Sequence, residues 1–526
     1  MSFLAISTAV LAGLFSLILF VRFVLTRKTG DVPEPPVAAG AWPIIGHMHL
    51  LAGEGGLPHR VLASLGKKYG PIFTLNLGAH QALVVNNAEM ARECYTTNDK
   101  AFADRPRSLA VDMLGYNYAS FGFVAYGPYW RGLRKIAVLD LLSPNRLRML
   151  SHVRTSEVNY LMRDLYKVWK EGKGSTGKVA IDQMEKWFEN LVFNVVLRMI
   201  AGRRYTTGDK EGDHVKNTIK DYVHELGTVV IGDVIPWLRF LDFSFKKKVK
   251  KTAEEYDVIM EDWLREQREK MSSGVPIDPK DEVFVASLLN RLNSEADKDL
   301  TVFDKGTIVK ATCSTIIGGA ADTTTVALTW TLALLVNHPE VLKKAQEEIE
   351  THVGRERVVE ESDLKNLVYL SALIKESLRL YPPGAIIAPH QTIEDCIVAG
   401  YKVKKGTRLM VNLWNIQRDP AFWSQPEEYI PERFLTEQKE MDVWGQSYEF
   451  FPFSSGRRTC PGISLAIQSM QLTLATLLQG FEIESPTGGP LDMSEHFPGM
   501  ITSKATPLGV LISPRLAPEF YNQDSS

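Results

Sequence analysis

Cys460 lies in a segment rich in glycine and proline, which reads FPFSSGRRTCPG over residues 451–462. Glycine and proline favour a tight loop, and helical period resumes from Ile463 onward. A cysteine at such a junction lies near a helix N-terminus, where the helix dipole and the neighbouring Arg457 and Arg458 favour the thiolate. A thiolate beside glycines and arginines suits a haem iron, whose porphyrin carries two acidic propionates.

The three other cysteines lack such surroundings. Cys94, Cys313 and Cys396 are interpreted as small apolar side chains, and no two of the four cysteines are spaced as CxxC. Four cysteines in 526 residues are too few for a disulfide framework, which fits a reducing compartment. Cys460 taken alone would also be interpreted as a buried, inert thiol, so its assignment depends on the loop around it.

A long apolar stretch holds the second candidate site. Residues 304–337 are predicted to form one helix of about 50 Å, and Asp322 is the only charged residue from 311 to 336. The threonine and serine content favours a helix buried at the centre of a globule over a second membrane span. The adjacent Gly318 and Gly319 weaken a helix, and a bound group pressing on the helix face would explain them.

Asp322 and Thr323 place an acid beside a hydroxyl in this apolar helix. Such a combination is what a proton relay needs. The alternative is structural, because Thr323 can bond back to a carbonyl of the helix while Asp322 caps or pairs.

Paired charges follow further along the chain. Glu376 and Arg379 are three residues apart and share one face of a predicted helix, and Arg433 lies in a Pro-Glu-Arg-Phe segment at 431–434. A buried charge must be paired, and the guanidinium fork suits a carboxylate. A surface pair is the alternative for any single pair at this spacing.

Together these segments resemble the cytochrome P-450 superfamily. Its haem-binding loop reads F-x-x-G-x-R-x-C-x-G, and the matching residues are Phe453, Gly456, Arg458, Cys460 and Gly462. Residues 376–379 resemble its ExxR element, 431–434 its PERF element and 130–134 its WxxxR helix. Residues 319–324 resemble its oxygen-activation motif, from which Ala320 departs because glycine is usual there.

The resemblance implies a role for each matched residue. Cys460 would ligate the iron of haem b, within a loop shaped by Phe453, Gly456 and Gly462. The implied partners of the haem propionates are Trp130, Arg134, Arg458 and His390. Glu376, Arg379 and Arg433 would form a buried structural network, while Asp322 and Thr323 would deliver protons to bound dioxygen.

Substrate-pocket residues follow only from position in the resemblance. The candidates are Ile316, Gly319, Ala320, Ala385, Ile386, Met500 and Ile501. Most of them are apolar, which favours a hydrophobic substrate. Each of them could equally belong to the core.

The remaining pattern predicts a mainly helical body with a small β part, which by resemblance is the cytochrome P-450 fold. Helical period marks residues 146–169, 245–272, 304–337, 339–352, 363–380 and 463–478. Short runs of β character cover residues 72–77, 82–85, 396–403 and 407–413. No linker interrupts the body, so residues 47–526 are expected to form one haem-thiolate monooxygenase domain.

The N-terminal segment, residues 1–28, is predicted to be a transmembrane anchor in the lipid bilayer. Residues 1–21 carry no charged side chain, and three basic residues follow at 22–28, whereas a signal peptide carries its basic residues first. Basic flanks stay cytosolic, so we expect a single-pass protein of the endoplasmic reticulum membrane with a cytosolic catalytic domain. Prolines predict a stiff, non-helical hinge at 29–46.

Charge and resemblance together limit the function. The chain has 60 Lys and Arg against 62 Asp and Glu, a net charge of −2, which gives no electrostatic basis for a nucleic-acid partner. The resemblance implies NADPH- and O2-dependent hydroxylation, or oxidative demethylation, of a hydrophobic small molecule such as a plant terpenoid, flavonoid, coumarin or alkaloid. Electrons would arrive through a separate NADPH-cytochrome reductase, because no GxGxxG or flavin-domain extension is visible.

Two alternatives stay open. One is a haem-thiolate isomerase or dehydratase that needs no reductase, and Thr323 argues against it because such relatives generally lack this threonine. The other is a non-catalytic haem-binding membrane protein, against which the intact pair of Asp322 and Thr323 argues.

Overall fold

A computed structural model describes residues 32–51, 56–172, 177–206, 208–274, 278–294 and 298–522. The predicted anchor and residues 29–31 of the predicted hinge lie outside these described residues. The α-helices are α1 (Met48–Leu51), α2 (Pro58–Tyr69), α3 (Ala88–Tyr95), α4 (Leu109–Leu114), α5 (Pro128–Ile136), α6 (Pro144–Met149), α7 (Ser151–Gly172), α8 (Met184–Ala201), α9 (Lys210–Leu226), α10 (Ile231–Val234), α11 (Phe243–Ser272), α12 (Phe284–Ser294), α13 (Lys305–Asn337), α14 (Pro339–His352), α15 (Val368–Leu380), α16 (Leu413–Ile416) and α17 (Ile463–Gly480).

Eleven short strands make up the β part of the described chain. They are β1 (Ile72–Leu77), β2 (His80–Val85), β3 (Val179–Ile181), β4 (His390–Gln391), β5 (Cys396–Val398), β6 (Tyr401–Val403), β7 (Arg408–Val411), β8 (Phe481–Glu484), β9 (Glu495–His496), β10 (Ser503–Lys504) and β11 (Val510–Pro514). Turns of 3-10 or π type lie at Ala137–Leu141, Pro236–Asp242, Lys298–Leu300, Leu364–Asn366, Pro431–Phe434 and Pro518–Tyr521.

The largest sheet has the strand order β1-β2-β7-β4. β1 and β2 form an antiparallel hairpin in which Ile72 lies opposite Val85, while β7 runs parallel to β2 and antiparallel to β4. A three-stranded sheet, β3-β11-β8, and two small hairpins, β5-β6 and β9-β10, complete the β part. The prediction of a mainly helical body with a small β part is confirmed.

Predicted and observed helices agree best where the apolar pattern is long. α13 begins after Asp304, whose carboxylate accepts a hydrogen bond from the Thr307 N–H at 2.9 Å, and it ends at Asn337. The helix predicted at 363–380 begins later, at Val368, because residues Leu364–Asn366 form a 3-10 turn. α8 was not predicted, because its buried residues occupy every face and leave no one-sided period.

α13 lies at the centre of the helical body. It packs against α8, α9, α11, α12, α14, α15 and α17. Among the described residues it is the one helix long and apolar enough to cross a membrane, but 72% of its apolar window is buried inside the protein. Its interpretation as a core helix, and not as a second membrane span, agrees with this burial.

The described part of the predicted hinge is non-helical and lies against the largest sheet. The Thr74 N–H donates to the Pro36 oxygen at 2.8 Å, and the Ala38 N–H donates to the Thr74 oxygen at 3.1 Å. The Lys402 N–H also donates to the Pro33 oxygen at 2.8 Å. From Pro33 onward the segment therefore contacts β1 and β6 as part of the globule.

Candidate functional site

The loop before α17 is held by its own backbone and by two glycines. The Cys460 N–H donates to the Phe453 oxygen at 2.9 Å. Gly456 has a φ of +72°, and a Cβ there would lie 2.5 Å from a carboxylate oxygen of Asp99, so the position requires glycine. Gly462 directly precedes α17, and a Cβ there would lie 3.9 Å from Cys460 Sγ. These contacts fix the thiol beside the first turn of α17.

A cavity of about 360 Å³ lies between this loop, α5 and α13. The predicted residues that line it are Trp130, Arg134, Ile316, Gly319, Ala320, Thr323, Phe453, Arg458, Cys460 and Gly462. A Cβ at Gly319 would meet nothing within 4 Å, so a bound group can approach the middle of α13 there. The fold thus brings the cysteine loop and the α13 motif to one cavity.

Other predicted pocket residues do not line this cavity. Ala385 and Ile386 are buried, and Ile386 packs in a core cluster with Phe73 and Leu75, while Pro383, Gly384, Ile387 and Ala388 of the same turn line the wall. Met500 is 44% exposed and lies beside Gly227 at the end of α9. Ile501 is half-buried and also lies outside the lining.

Three arginines border the cavity, and none of them forms a salt bridge within the described part of the chain. They are Arg105, Arg134 and Arg458. Each donates to backbone carbonyls instead. Arg105 Nη1 lies 2.6 Å from the Ala388 oxygen, and Arg458 Nε lies 2.6 Å from the Ala103 oxygen.

The burial of these arginines indicates an anionic ligand. Burial lowers the pKa of Arg105 to about 10 and the pKa of Arg458 to about 9, and it lowers the pKa of Arg134 as well. The charge of nearby Asp104 offsets only part of this effect at Arg105 and Arg458. A desolvated cation without a directly paired counter-ion is energetically costly. The two propionates of a haem ligated by Cys460 would supply that negative charge, so the residues present fit this cofactor.

Sequence reasoning missed Arg105. The one local signal beside it is Pro106, which predicts no more than an extended backbone at residue 105. Only the tertiary fold shows that Arg105 lies beside Arg458, since the charge of Arg105 lowers the pKa of Arg458.

His390 lies next to the same arginines but outside the lining of the cavity. Its Nδ1 is 2.9 Å from the Phe102 oxygen, and because a carbonyl can only accept, Nδ1 carries the hydrogen. Nε2 is buried and has no hydrogen-bond partner among the described residues. Burial lowers the pKa of His390 well below its ordinary value, and the charges of Arg105 and Arg458 lower it further.

The cation that acts on the Cys460 thiol is not the one predicted from the sequence. Arg457 was predicted to act on the thiol, but it is 41% exposed and pairs with Asp99 at 2.5 Å. The cation that lowers the pKa of Cys460 is Arg134, which acts together with the Gly462 N–H, whereas burial has the largest effect and raises that pKa. The prediction that Arg457 favours the Cys460 thiolate is wrong, because the loop turns the Arg457 side chain toward the surface.

Thr323 and Asp322 have different surroundings on α13. Thr323 lines the cavity, and its hydroxyl donates to the Gly319 oxygen at 2.7 Å. Asp322 does not line the cavity, and burial raises the pKa of its carboxyl. Its charged neighbours are Glu189, which raises this pKa further, and Lys220 and His224, which lower it. The acid therefore faces α8 and α9, next to the hydroxyl in sequence but not in the same cavity.

The predicted charge network is assembled away from the cavity. Arg379 donates to both carboxylate oxygens of Glu376, from Nε at 2.7 Å and from Nη2 at 2.8 Å. Arg433 Nε donates to the same carboxylate at 3.0 Å. All three side chains are buried, so the fold joins them into one closed group.

Comparison with known proteins shows what the chain resembles as a whole. The family described as Cytochrome P450 matches residues 35–512. The strychnine-10-hydroxylase of Strychnos nux-vomica is 47% identical, over 99% of each chain. A xanthotoxin 5-hydroxylase of Arabidopsis thaliana is 45% identical, over 97% of this chain and 99% of its own. A solved zebra fish cytochrome P450 with progesterone superposes with a TM-score of 0.73 at 27% identity, over 87% of this chain and 99% of its own.

Proposed function

This chain belongs to the cytochrome P450 family and is a monooxygenase of that family, and from that premise we propose that it hydroxylates a hydrophobic plant metabolite at a haem ligated by Cys460. The observation that carries the proposal is a group of three arginines at the cavity, buried Arg458 and half-buried Arg105 and Arg134, none of which forms a salt bridge within the described chain. They lie beside a half-buried cysteine in a largely apolar cavity.

When bound, the haem supplies the chemistry: it activates dioxygen so that one oxygen atom enters a C–H bond of the substrate. The chain's residues have the remaining tasks. Arg105, Arg134 and Arg458 would hold the propionates by charge-assisted hydrogen bonds. The Thr323 hydroxyl holds a proton at the cavity wall, while the adjacent Asp322 carboxyl faces the charged side chains of α8 and α9.

The substrate class is proposed from the relatives and the cavity wall together. The names of the two relatives indicate hydroxylation of strychnine and of xanthotoxin. In this chain Ile316, Ala320 and Ile387 give the cavity wall an apolar surface. Such a wall suits a hydrophobic specialised metabolite like those named for the relatives. Electrons come from NADPH through a reductase, and residues 1–28 anchor the protein in the endoplasmic reticulum membrane.

Product analysis tests this function. Microsomes containing the chain and an NADPH-cytochrome reductase are supplied with a panel of alkaloids, coumarins, flavonoids and terpenoids, and products one oxygen atom heavier are expected only with NADPH. Turnover without NADPH would favour an isomerase or dehydratase instead. A thiolate-ligated haem with no product from any compound would favour a haem-binding protein.

Two substitutions test the residues. Cys460→Ser should abolish the thiolate signature of the reduced, CO-bound holoenzyme, whereas Cys396→Ser, in the β5-β6 hairpin, should keep it. A preserved signature in Cys460→Ser would contradict the ligand assignment. Thr323→Ala should uncouple NADPH consumption from product formation, and unchanged coupling would mean that Thr323 is only structural.

A further inference from the structure

Two hydroxyl groups join the loop before α5 to the wall of the cavity. The Ser120 Oγ and the Thr315 Oγ1 are hydrogen-bonded, and Thr315 lines the cavity on α13. Thr315 precedes Thr323 by eight residues, which is about 12 Å along a helix. The pair therefore lies well away from the position where Thr323 serves the reaction.

The loop that carries Ser120 is held in place from several sides. The Tyr129 hydroxyl donates to the Ala119 oxygen at 2.9 Å, and Trp130 Nε1 donates to the Phe121 oxygen at 3.1 Å. A Cβ at Gly122 would lie 3.0 Å from the Thr315 methyl group, so the loop approaches α13 closely. Ser120 itself is 2% exposed. The geometry of the hydroxyl pair is thus set before any ligand binds.

The hydrogen bonds already formed by the Ser120 and Thr315 hydroxyls limit those that they can form with a ligand. The Thr315 hydroxyl donates to the Ala311 oxygen at 2.9 Å. Since each hydroxyl has one hydrogen, the bond between the two hydroxyls is donated by Ser120. Both hydrogens are then used, and Thr315 Oγ1 keeps one lone pair. The pair can accept a hydrogen bond from a ligand but has none to donate.

We propose that Thr315, held by Ser120, is a specificity-determining residue that accepts a hydrogen bond from a hydroxyl group of the substrate. The inference rests on the proposed function and narrows its substrate class to hydrophobic molecules with an alcohol or phenol remote from the oxidised carbon. A methyl ether at the same place cannot donate and is disfavoured, because its oxygen meets only an acceptor.

The test uses ligands that bind the holoenzyme whatever its substrate is. The ligands are 4-phenylimidazoles with a hydroxyl group at the 2-, 3- or 4-position of the phenyl ring, together with the O-methyl ether of each. They bind the haem iron through the imidazole, and the shift of the haem spectrum gives their dissociation constants. At least one phenol should bind about three- to tenfold more tightly than its ether. Thr315→Val should abolish this preference, Ser120→Ala should reduce it, and Thr315→Ser should retain it.

Thr331→Val is the matched control, since Thr331 bonds back to the Ala327 oxygen in the same way and is fully buried away from the cavity. It should leave the phenol preference unchanged. A preference for the ethers, no preference in any pair, or a preference that survives Thr315→Val would overturn the inference. Product formation without a phenol preference would overturn only the role of Thr315. A phenol preference without any product would leave that role intact and contradict the proposed function.

Discussion

Two groups of buried arginines in this molecule obtain their counter-charge from different sources. Arg379 and Arg433 share the carboxylate of Glu376, which is part of the same chain. The arginines at the cavity, represented by Arg105 and Arg458, donate only to backbone carbonyls among the described residues. The first, the complete group, has its counter-charge in direct contact within the polypeptide. The second, the incomplete group of Arg105, Arg134 and Arg458, forms no salt bridge among the described residues.

The difference separates a folding role from a binding role. All five N–H groups of Arg379 are used, because it also donates to the oxygens of Gln417, Pro426 and Glu428 at 2.7–3.0 Å. Such a group stabilises the fold whether or not a cofactor is present. Buried guanidiniums without carboxylates reduce stability until an anion binds, so part of the cofactor's binding energy comes from relieving that cost.

Breaking the complete group should have the largest effect. Glu376→Gln leaves Arg379 and Arg433 buried without a carboxylate, and it should lower the free energy of unfolding by about 3–5 kcal/mol. Thermal unfolding monitored by circular dichroism measures this loss. Glu484→Gln is the control, because Glu484 pairs with an exposed lysine, Lys178, and should change little. Equal effects of the two substitutions would contradict the structural role of Glu376.

Breaking the incomplete group should affect the cofactor more than the fold. Arg458→Met removes the charge-assisted contact to a propionate that we propose for Arg458 but keeps much of the side-chain volume. The rate at which the holoenzyme releases haem to an acceptor protein should rise by about 10- to 100-fold. The haem-free protein should unfold at the same denaturant concentration as the wild type or a higher one, because a buried charge has been removed. Unchanged haem release would contradict the assignment.

The sequence could predict the complete group and only part of the incomplete one. Glu376 and Arg379 share a helix face, so their contact follows from local spacing. Arg105 reaches the cavity, and Ser120 reaches Thr315, through long-range contacts for which the sequence carries no periodic signal. Ile386 and Met500 were predicted to line the pocket but do not line this cavity, because the direction of a side chain in a loop depends on what packs against it. The cysteine loop was predictable because its glycines and its cysteine act over a few residues.

Protonation of His390 gives a further test of the incomplete group. Burial and the charges of Arg105 and Arg458 hold its pKa well below the value of about 6.5 that it has in the unfolded chain. The unfolded state therefore takes up a proton more readily, so the haem-free protein loses stability as the pH falls below about 6.5. His390→Gln should flatten this part of the stability curve in denaturant titrations. An unchanged curve would show that other groups cause the loss.

Substitution of Arg457 should have the smallest effect on stability and haem release. Arg457 is next to Arg458 in sequence but has a carboxylate partner, Asp99. Its guanidinium is 41% exposed and pairs with Asp99, so the pair should contribute about 0–1 kcal/mol. Arg457→Ala keeps the backbone hydrogen bond from the residue 457 N–H to Asp99, which lies at 3.0 Å. Haem release should therefore match the wild type while Arg458→Met releases haem faster. If both substitutions accelerated release alike, net positive charge near the cysteine would explain haem retention, and the particular hydrogen bonds of the buried arginines would not.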